Sequence, residues 1–492
     1  MSVSQTIAAK LKDGSLLRAA GLIGGTWIDN VSDGRRFEIL DPATGDKVAT
    51  APEMACTETE AAINAAYSAF KSWAALTGKA RSAVLRRWYD LIVANVDDLA
   101  IILTAEMGKP LAEARGEVLY GAAYIEWFAE EAKRIYGDTI PGHQHDKRII
   151  VLKQPIGVVG VITPWNFPNA MIARKLAPAL AVGCTVVAKP AEQTPLSAVA
   201  LAILAERAGI PPGVLNVIVG SDGPAIGRTL CASEKVRKIS FTGSTEVGRI
   251  LMRQSAAHIK KVSLELGGNA PFIVFDDADM DAAIEGAIQS KFRNAGQTCV
   301  CANRIYVQSG IYDEFARRLT SRVSRLNVAS GFDAGVDIGP LIDQDSLRKV
   351  ERHVADVLAK GGTIALGGKL HPLGGTFYEP TVLTGVNAQM TIAGEETFGP
   401  VAPLFRFEDV DDVIAQANDT IFGLAAYFYA RDLSRVWKVA EALEYGIIGI
   451  NTGLISTEVA PFGGVKQSGQ GREGSKYGAE DYLEIKYLCM QV

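Results

Sequence analysis

Residues 292–304, FRNAGQTCVCANR, place two cysteines among polar side chains, and a cysteine thiolate is a strong nucleophile. Cys299 follows a helical stretch and a turn that contains a glycine. Backbone N–H groups or a helix N-terminus at such a turn would lower the pKa of the thiol. The polar neighbours favour a nucleophile, whereas free cysteines in general are buried as small apolar residues. This segment alone leaves both interpretations of Cys299 open.

Residues 264–271, LELGGNAP, follow an apolar run and place a carboxylate before two glycines. Glycines at a strand end let the backbone approach a ligand closely, so Glu265 would face a cleft. Partial burial there would raise the pKa of Glu265 and suit a general base. The alternative is a glutamate in an ordinary tight turn.

Residues 163–168, TPWNFP, come directly after the apolar run VVGVI. Pro164 and Pro168 restrict this loop, so that Asn166 would hold its amide at a fixed angle. A fixed amide N–H is suited to stabilising a developing oxyanion. The competing interpretation is a structural asparagine, which is common in turns.

The elements that must position these three segments alternate between strand and helix. Strands are predicted at 158–162, 185–188, 215–219, 238–241, 261–266 and 272–274, with helices between them at 197–208 and 245–255. Such alternation is typical of right-handed βαβ crossovers and predicts an α/β protein with a doubly wound parallel sheet. Before it, residues 57–132 show apolar residues at helical spacing, and a second alternating region covers about 279–450.

Composition and charge exclude several classes of function. The chain has 492 residues, which predicts roughly two to four domains. A net charge of −5 gives no reason to expect nucleic acid or an anionic membrane as a partner. Five scattered histidines and six cysteines without paired spacing predict no metal site. Because the N-terminus does not resemble a secretory signal, we expect reduced cysteines and a cytoplasmic protein, with an organellar matrix as the alternative.

The three segments, taken in order, resemble the aldehyde dehydrogenase superfamily, and the resemblance extends over nearly the whole chain. Four more segments carry it: VVAKPAEQTP (186–195), FTGSTEVG (241–248), EETFGPV (395–401) and PFGGVKQSGQGREG (461–474). The resemblance implies that Cys299 attacks the aldehyde carbon and that Asn166 donates to the oxyanion together with the Cys299 backbone N–H. It also implies that Glu265 activates the water that hydrolyses the resulting thioester.

The resemblance implies an NAD or NADP cofactor and no metal. The spacing G-x-x-x-x-G over 243–248, entering a helix, is a plausible pyrophosphate site. Glu192 matches a position that contacts the adenosine ribose, where its charge would repel a 2′-phosphate, so that NAD is the predicted preference. The cofactor contacts expected from these segments are Thr163, Pro164, Trp165, Lys189, Pro190, Ala191, Glu192, Gly243, Ser244, Thr245, Gly248, Leu266, Glu396 and Phe398.

Three positions bear on the substrate. Relatives that act on simple aliphatic aldehydes typically have aromatic residues where this chain has Arg174, Arg293 and Ser456. Two guanidinium groups and a hydroxyl suit a carboxylate, which predicts a semialdehyde with an acid group at its far end. AMIARK and GLISTEVAPFGG resemble succinate-semialdehyde dehydrogenases in particular. Glutarate semialdehyde, one methylene longer, is the nearest alternative substrate, and ion pairs with acidic neighbours are the alternative for the two arginines.

Cys301, two residues after Cys299, also occurs in succinate-semialdehyde dehydrogenases. The resemblance implies a reversible Cys299–Cys301 disulfide as a redox switch. The alternative is that Cys301 is a small packing residue.

Two other classes of protein remain as alternatives to an aldehyde dehydrogenase. A non-catalytic protein would be expected to lose some of the three catalytic residues, and reductive enzymes that form acyl-CoA or acyl phosphate commonly lack the base that Glu265 matches.

The resemblance implies a Rossmann-like cofactor domain (1–135 and 155–266), an α/β catalytic domain (267–475) and a small β oligomerisation arm (136–154 and 476–492). The C-terminal segment 481–492, DYLEIKYLCMQV, is predicted to form a strand. Its open edge would be covered by a second copy of the chain, so we expect a homodimer or homotetramer.

Overall fold

The computed structural model describes residues 3–492, which contain an eight-stranded sheet, a seven-stranded sheet, a three-stranded sheet and a two-stranded hairpin. The strands, in chain order, are β1 (Gly21–Ile23), β2 (Thr26–Ile28), β3 (Arg36–Leu40), β4 (Lys47–Pro52), β5 (Asp138–Ile140), β6 (Lys147–Pro155), β7 (Val158–Ile162), β8 (Thr185–Lys189), β9 (Leu215–Val217), β10 (Val236–Thr242), β11 (Lys261–Glu265), β12 (Ala270–Val274), β13 (Ala302–Gln308), β14 (Thr363–Leu366), β15 (Thr381–Val386), β16 (Val401–Phe407), β17 (Ala425–Tyr429), β18 (Ile447–Ile450), β19 (Gly469–Gln470) and β20 (Leu483–Gln491).

The α-helices, in chain order, are α1 (Gln5–Ala8), α2 (Cys56–Ala74), α3 (Gly78–Ala94), α4 (Val96–Met107), α5 (Leu111–Glu131), α6 (Ala170–Val182), α7 (Leu196–Ala208), α8 (Gly223–Ala232), α9 (Thr245–Ala256), α10 (Met280–Lys291), α11 (Tyr312–Val323), α12 (Gln344–Ala359), α13 (Thr391–Gly394), α14 (Val410–Asn418), α15 (Leu433–Ala442) and α16 (Tyr477–Glu480). In the region 57–132, which shows continuous helical spacing, the structure has four helices, α2 to α5. The third of these, α4, ends at Gly108, whose φ of +87° favours glycine.

The eight-stranded sheet has the order β19-β11-β10-β7-β8-β9-β1-β2, and the run from β11 to β9 is parallel. Helices α2 and α6 contact β8, whose residues are all buried, and this explains its unbroken apolar sequence. The carboxyl ends of the parallel strands lie together, with Ile162 opposite Lys189 and Thr242 opposite Glu265. The loops that carry the predicted cofactor and catalytic residues therefore leave the sheet at one edge.

The seven-stranded sheet has the order β14-β15-β16-β13-β12-β17-β18. Its central strands β12 and β13 are parallel neighbours, with Phe272 opposite Ile305. Among the described residues, buried apolar side chains form two large cores and one small cluster of Phe167, Ala170 and Met171. One large core draws on residues 7–266 together with Ile342, Ala479, Tyr482 and Leu483, and the other lies within 270–462. The segment between Leu266 and Ala270 therefore crosses from one core to the other.

The three-stranded sheet has the order β20-β6-β5 and is antiparallel. The predicted C-terminal strand is present as β20, which pairs with β6 over its whole length. Ile485 and Tyr487 on β20 are 73% and 56% exposed. No helix among residues 3–492 is long and apolar enough to cross a membrane.

The structure confirms an α/β fold and contains all six strands predicted between 158 and 274, with ends shifted by up to two residues. The strand predicted at 272–274 continues the alternating pattern but lies in the range predicted for the catalytic domain, and in the structure it belongs to the second sheet, after Gly267 and Gly268. Strand β19 falls within the range predicted for the catalytic domain but pairs with β11 of the first sheet, with Gly469 opposite Glu265.

Candidate active site

Cys299 lies where two cavities meet. One cavity has a volume of about 270 Å³ and opens toward the carboxyl ends of the parallel strands, where Asn166 also lines it. The second, of about 290 Å³, is lined by Arg174, Arg293 and Ser456. Cys299 and Met171 line both cavities. A thiol at this junction faces two different ligand spaces at once.

The loop that carries Cys299 is held by close backbone packing. Asn294, Ala295 and Gly296 are consecutive residues with positive φ values of 52°, 54° and 75°, which is a strained conformation for the two that are not glycine. A Cβ on Gly296 would overlap the carbonyl of Gly399, and a Cβ on Gly268 would lie 2.5 Å from the Cys299 carbonyl oxygen. The turn therefore requires glycine at both positions.

Burial raises the pKa of the Cys299 thiol to about 12, although the nearby Arg174 opposes this shift. Desolvation opposes the thiolate that the turn was expected to stabilise, and it outweighs the positive charges nearby. The nucleophile must therefore transfer its proton to a base during the reaction.

Asn166 extends from the loop after β7 and is 4% exposed. Its Nδ2 donates to the Gln297 carbonyl at 3.0 Å, which occupies one of its two N–H groups. Its backbone carbonyl accepts from Lys109 Nζ at 2.8 Å and from Asn294 Nδ2 at 2.9 Å. Asn166 is thus hydrogen-bonded directly to the Cys299 loop, and its second amide N–H is free to donate to an oxygen beside the thiol.

Glu265 ends β11 and is 4% exposed, but it lines neither of the two cavities. Burial raises the pKa of Glu265 well above its usual value, and Glu473 raises it further. Its Oε2 has no hydrogen-bond partner within residues 3–492. The structure thus brings Cys299 and Asn166 together at one cavity, whereas Glu265 lies outside both cavities.

Glu473 and Lys175 were not predicted from the sequence. Lys175 Nζ is ion-paired with Glu473 Oε1, and Arg174 Nη2 lies 2.8 Å from Glu473 Oε2. Burial acts to raise the pKa of Glu473, but Lys175 and Arg174 outweigh it and leave the pKa below its usual value. The signal in the sequence was Glu473 inside the GREG segment, which lies far from Lys175 along the chain.

Arg174 is 1% exposed, yet it keeps hydrogen-bonding capacity toward the second cavity. Its guanidinium lies 4.0 Å from the centre of the Phe462 ring, and Nη1 donates to Tyr120 Oη at 3.4 Å. Nε makes no hydrogen bond within the described residues, whereas Nη2 is ion-paired with Glu473 Oε2. The alternative interpretation of Arg174, an ion pair with an acidic neighbour, is therefore present alongside one free donor.

Arg293 and Ser456 complete this wall of the cavity. The Arg293 guanidinium lies 5.4 Å from the centre of the Phe167 ring. Glu113 and Glu117 line the same cavity, and Glu117 is already paired with Lys109. Two guanidinium groups and a hydroxyl in this cavity favour an anionic group on the ligand.

The first cavity contains part of the predicted cofactor set. Pro164, Trp165, Gly243, Ser244, Leu266, Glu396 and Phe398 line it, whereas Thr163, Lys189, Pro190, Ala191, Glu192, Thr245 and Gly248 do not. Six lining residues were missed: Met171, Thr242, Gly267, Ser346, Lys349 and Thr397. Ser346 and Lys349 lie on α12, far along the chain from the recognised segments.

The predicted residues outside the cavity lie along the same strand ends. Thr163 N donates to the Lys189 carbonyl at 3.1 Å, and Lys189 Nζ pairs with Glu192 Oε2 at 2.9 Å. A Cβ on Gly248 would lie 2.5 Å from Leu266 Cδ2, so glycine lets α9 pack closely against the loop after β11.

These residues fit a dinucleotide. The N-terminus of α9 faces the strand ends with Ser244 as its cap, which suits a pyrophosphate. The buried hydroxyls of Thr163 and Thr242 have no hydrogen-bond partner within residues 3–492. Burial raises the pKa of Glu396 to about 7, and Glu396 Oε1 accepts from Gly268 N at 3.1 Å.

Cys301 is buried and lines neither cavity. Lys291 Nζ lies 3.2 Å from its Sγ. Each of the six cysteines is a free thiol in the structure, and no group of three or more His, Cys, Asp or Glu within residues 3–492 is arranged to hold a metal ion. The role of Cys301 as a redox partner of Cys299 stays a prediction.

Comparisons with known proteins all identify the same protein family. The model of the Aldehyde dehydrogenase family matches residues 27–488. The NADP(+) succinate-semialdehyde dehydrogenase GabD of Escherichia coli K12 is 64% identical over 98% of this chain and 99% of that protein. A glutarate-semialdehyde dehydrogenase of Pseudomonas aeruginosa is 62% identical over 98% and 99%. The crystal structure of a Burkholderia pseudomallei succinate-semialdehyde dehydrogenase has a TM-score of 0.97 at 61% identity and covers 98% and 100%.

We expect Gly296→Ala to lower the midpoint of thermal unfolding, because alanine would be strained at a φ of 75° and would overlap the Gly399 carbonyl. The strain alone is worth about 1–3 kcal/mol. Gly394→Ala is the control, since a Cβ at Gly394 has no neighbour within 4 Å. Differential scanning calorimetry of the two variants measures the effect, and equal midpoints would contradict the steric argument.

Proposed function

The chain belongs to the aldehyde dehydrogenase family, and we propose that it oxidises succinate semialdehyde to succinate with NAD or NADP. The observation that carries this proposal is the junction at Cys299 between a cavity suited to a dinucleotide and a cavity with Arg174 and Arg293. The relative from E. coli, whose name states the same reaction, supports it at 64% identity.

In the first stage, Cys299 loses its proton to a base, and its sulfur forms a bond to the aldehyde carbon while the carbonyl electrons move to oxygen. The free N–H of Asn166 Nδ2 donates to that oxyanion. A dinucleotide held by Ser244, Glu396 and the strand-end loops would supply the acceptor for the hydride that leaves the same carbon. A thioester on Cys299 remains.

In the second stage, water adds to the thioester carbon, the bond to sulfur breaks, and the free acid leaves. We assign to the ionised form of Glu265 the removal of a proton from that water. Because Glu265 lies outside both cavities, its side chain must rotate toward Cys299 for this step. Glu473 lies beside it with Lys175 and Arg174, so the proton that Glu265 gains remains within a buried group of compensating charges.

Arg174, Arg293 and Ser456 would bind the carboxylate of the substrate and keep its aldehyde end at Cys299. Glutarate semialdehyde is the second candidate substrate, and relatives at 62% identity carry that name. One methylene is worth about 1–3 kcal/mol of discrimination, so the two substrates would differ in kcat/KM by no more than about two orders of magnitude.

For the cofactor, the carboxylate of Glu192 favours NAD, whereas the relative from E. coli is named for NADP(+). The ion pair of Glu192 with Lys189 reduces the repulsion that a 2′-phosphate would meet.

The free edge and exposed apolar residues of β20 support a homodimer or homotetramer in which a second copy covers this strand. Six free thiols support the cytoplasm, or an organellar matrix, as the location.

Arg293→Ala is expected to raise KM for succinate semialdehyde about a hundredfold, since a charge-assisted contact to a buried carboxylate is worth about 2–5 kcal/mol. For a neutral aldehyde of the same length the kinetic constants should change less than threefold. Arg174→Ala should behave in the same direction, with an added loss because Arg174 also contacts Glu473. Steady-state kinetics on both aldehydes measures this, and an equal loss on the two substrates would contradict carboxylate binding.

Glu265→Gln is expected to leave a burst of about one reduced cofactor per subunit and to lower the steady-state rate about a hundredfold or more, because hydrolysis loses its base. In the wild type the hydrolysis rate should rise with pH, since the raised pKa keeps Glu265 protonated at lower pH.

Glu106→Gln is the matched control for Glu265→Gln. Glu106 is also buried, its pKa is raised by burial to about 8, and its carboxylate accepts from Leu196 N and Ser197 N at the start of α7. Stopped-flow absorbance should show the wild-type ratio of burst to steady-state rate in this control. A Glu265→Gln enzyme that loses the burst as strongly as the steady-state rate would contradict the assignment.

Glu192→Gln is expected to raise kcat/KM for NADP at least tenfold and to change that for NAD far less, because the neutral amide no longer repels a 2′-phosphate. Initial rates at equal, subsaturating concentrations of the two cofactors measure the preference. If the wild-type enzyme is faster with NADP than with NAD, the preference for NAD is wrong.

A further inference from the structure

A buried ion pair joins Lys109 to Glu117, and Glu117 also lines the cavity that contains Arg174 and Arg293. Lys109 Nζ is 2.5 Å from Glu117 Oε2, and the two side chains are 0% and 1% exposed. Removing two charges from water costs free energy, and well-packed apolar residues in place of a buried pair are often as stable. Stability alone is therefore a weak explanation for these charges.

Both members of the pair bind the segment that carries Asn166. Lys109 Nζ donates to the Asn166 carbonyl at 2.8 Å and lies 3.8 Å from the centre of the Phe167 ring. Glu117 Oε1 accepts from Asn169 N at 2.9 Å and from Ala170 N at 3.2 Å, at the point where α6 begins. The loop between β7 and α6 is thus fixed at its middle and at its C-terminal end.

The same carbonyl connects this loop to the loop of the nucleophile. Asn294 Nδ2 donates to the Asn166 carbonyl at 2.9 Å, while Asn166 Nδ2 donates to the Gln297 carbonyl at 3.0 Å. Lys109 therefore supports a reciprocal contact between the oxyanion donor and the segment that precedes Cys299. A shift of the Asn166 backbone would turn its free amide N–H away from the thiol.

We propose that Lys109 and Glu117 are positioning residues that orient the Asn166 amide toward the oxygen of the aldehyde bound at Cys299. This inference rests on the proposed function, because it assigns these residues to the oxyanion formed in the first stage. Losing one oxyanion donor costs about 10²–10³ in rate, and a donor misplaced by about 1 Å loses much of the same factor.

The test is the rate of the first turnover, the burst of reduced cofactor, in Lys109→Met. Methionine keeps an unbranched side chain but removes the charge and the N–H donors. We expect the burst rate to fall about tenfold to a hundredfold, with KM for the aldehyde and the dissociation constant of the cofactor changed less than threefold. The proposed function is tested separately, by whether the wild type gives a burst with succinate semialdehyde. The variants are then compared with the wild type on an aldehyde that the wild type oxidises, so the two tests can fail independently.

A double-mutant cycle with Asn166→Ala separates positioning from general structural damage. If Lys109 acts through Asn166, adding Lys109→Met to Asn166→Ala should lower the burst rate by no more than about twofold further. Lys109→Met/Glu117→Leu removes both charges together, avoids an unpaired buried carboxylate and keeps the test available if the single variant folds poorly. It should show the same loss of burst rate as Lys109→Met.

Arg81→Met is the matched control, because Arg81 is another buried cation bound to α6, at the opposite end. Arg81 Nε donates to the Ala181 carbonyl at 2.8 Å. We expect this variant to unfold at a lower temperature and to keep the wild-type burst rate. The proposal is overturned if Lys109→Met keeps the wild-type burst rate, if Arg81→Met loses it equally, or if the losses from Lys109→Met and Asn166→Ala multiply.

Discussion

The active site depends on the close approach of two backbone segments that belong to different sheets. Gly268 follows the last parallel strand of the first sheet, and its α-carbon faces the carbonyl of Cys299 so closely that a Cβ would lie 2.5 Å from that oxygen. Because the hydrophobic cores separate between Leu266 and Ala270, this contact lies at their boundary. A nucleophile placed there faces one cavity formed largely by strand-end loops of the first sheet and another lined by Arg174 of α6 and Arg293 of the turn after α10.

The electrostatics of the site follow from burial. Desolvation raises the pKa of both Cys299 and Glu265, so burial favours the neutral forms of the thiol and the carboxyl. The negative charge remains on Glu473, where Lys175 and Arg174 stabilise it. Two carboxyl groups of the same type thus have pKa values shifted in opposite directions, which is the usual arrangement when one must exchange a proton and the other must keep its charge.

The strand–helix alternation and the site loops could be predicted from the sequence because each depends on residues that are close together along the chain. A strand followed by a glycine- or proline-containing loop predicts a site residue at a sheet edge, and Asn166, Glu265 and Ser244 lie there in the structure. The same reasoning missed Glu473 and Lys109, since each acquires its role from partners that are distant in sequence. No local pattern distinguishes a lysine that will be fully buried from one on a surface.

The direction of the thiol pKa was also beyond the sequence, for a related reason. The polar residues around Cys299 indicated an accessible thiolate, but polar composition does not report how many of those groups are already hydrogen-bonded to one another. In the structure the Asn294 side chain donates to the Asn166 carbonyl, and the Gln297 side chain donates to the carbonyls of Asn294 and Pro340. These side chains therefore fix the loop without solvating the sulfur.

Arg174 shows how the same burial favours an anionic substrate. Its Nη2 is ion-paired with Glu473 Oε2 at 2.8 Å, while its Nε makes no hydrogen bond within residues 3–492. A substrate carboxylate in the second cavity would accept from this buried charged donor, whereas a neutral aldehyde would not. The discrimination therefore comes from this hydrogen bond as well as from the attraction of two charges. Stacking on Phe462 also holds the Arg174 guanidinium in place before the substrate binds. Binding of the carboxylate therefore requires little ordering of this side chain.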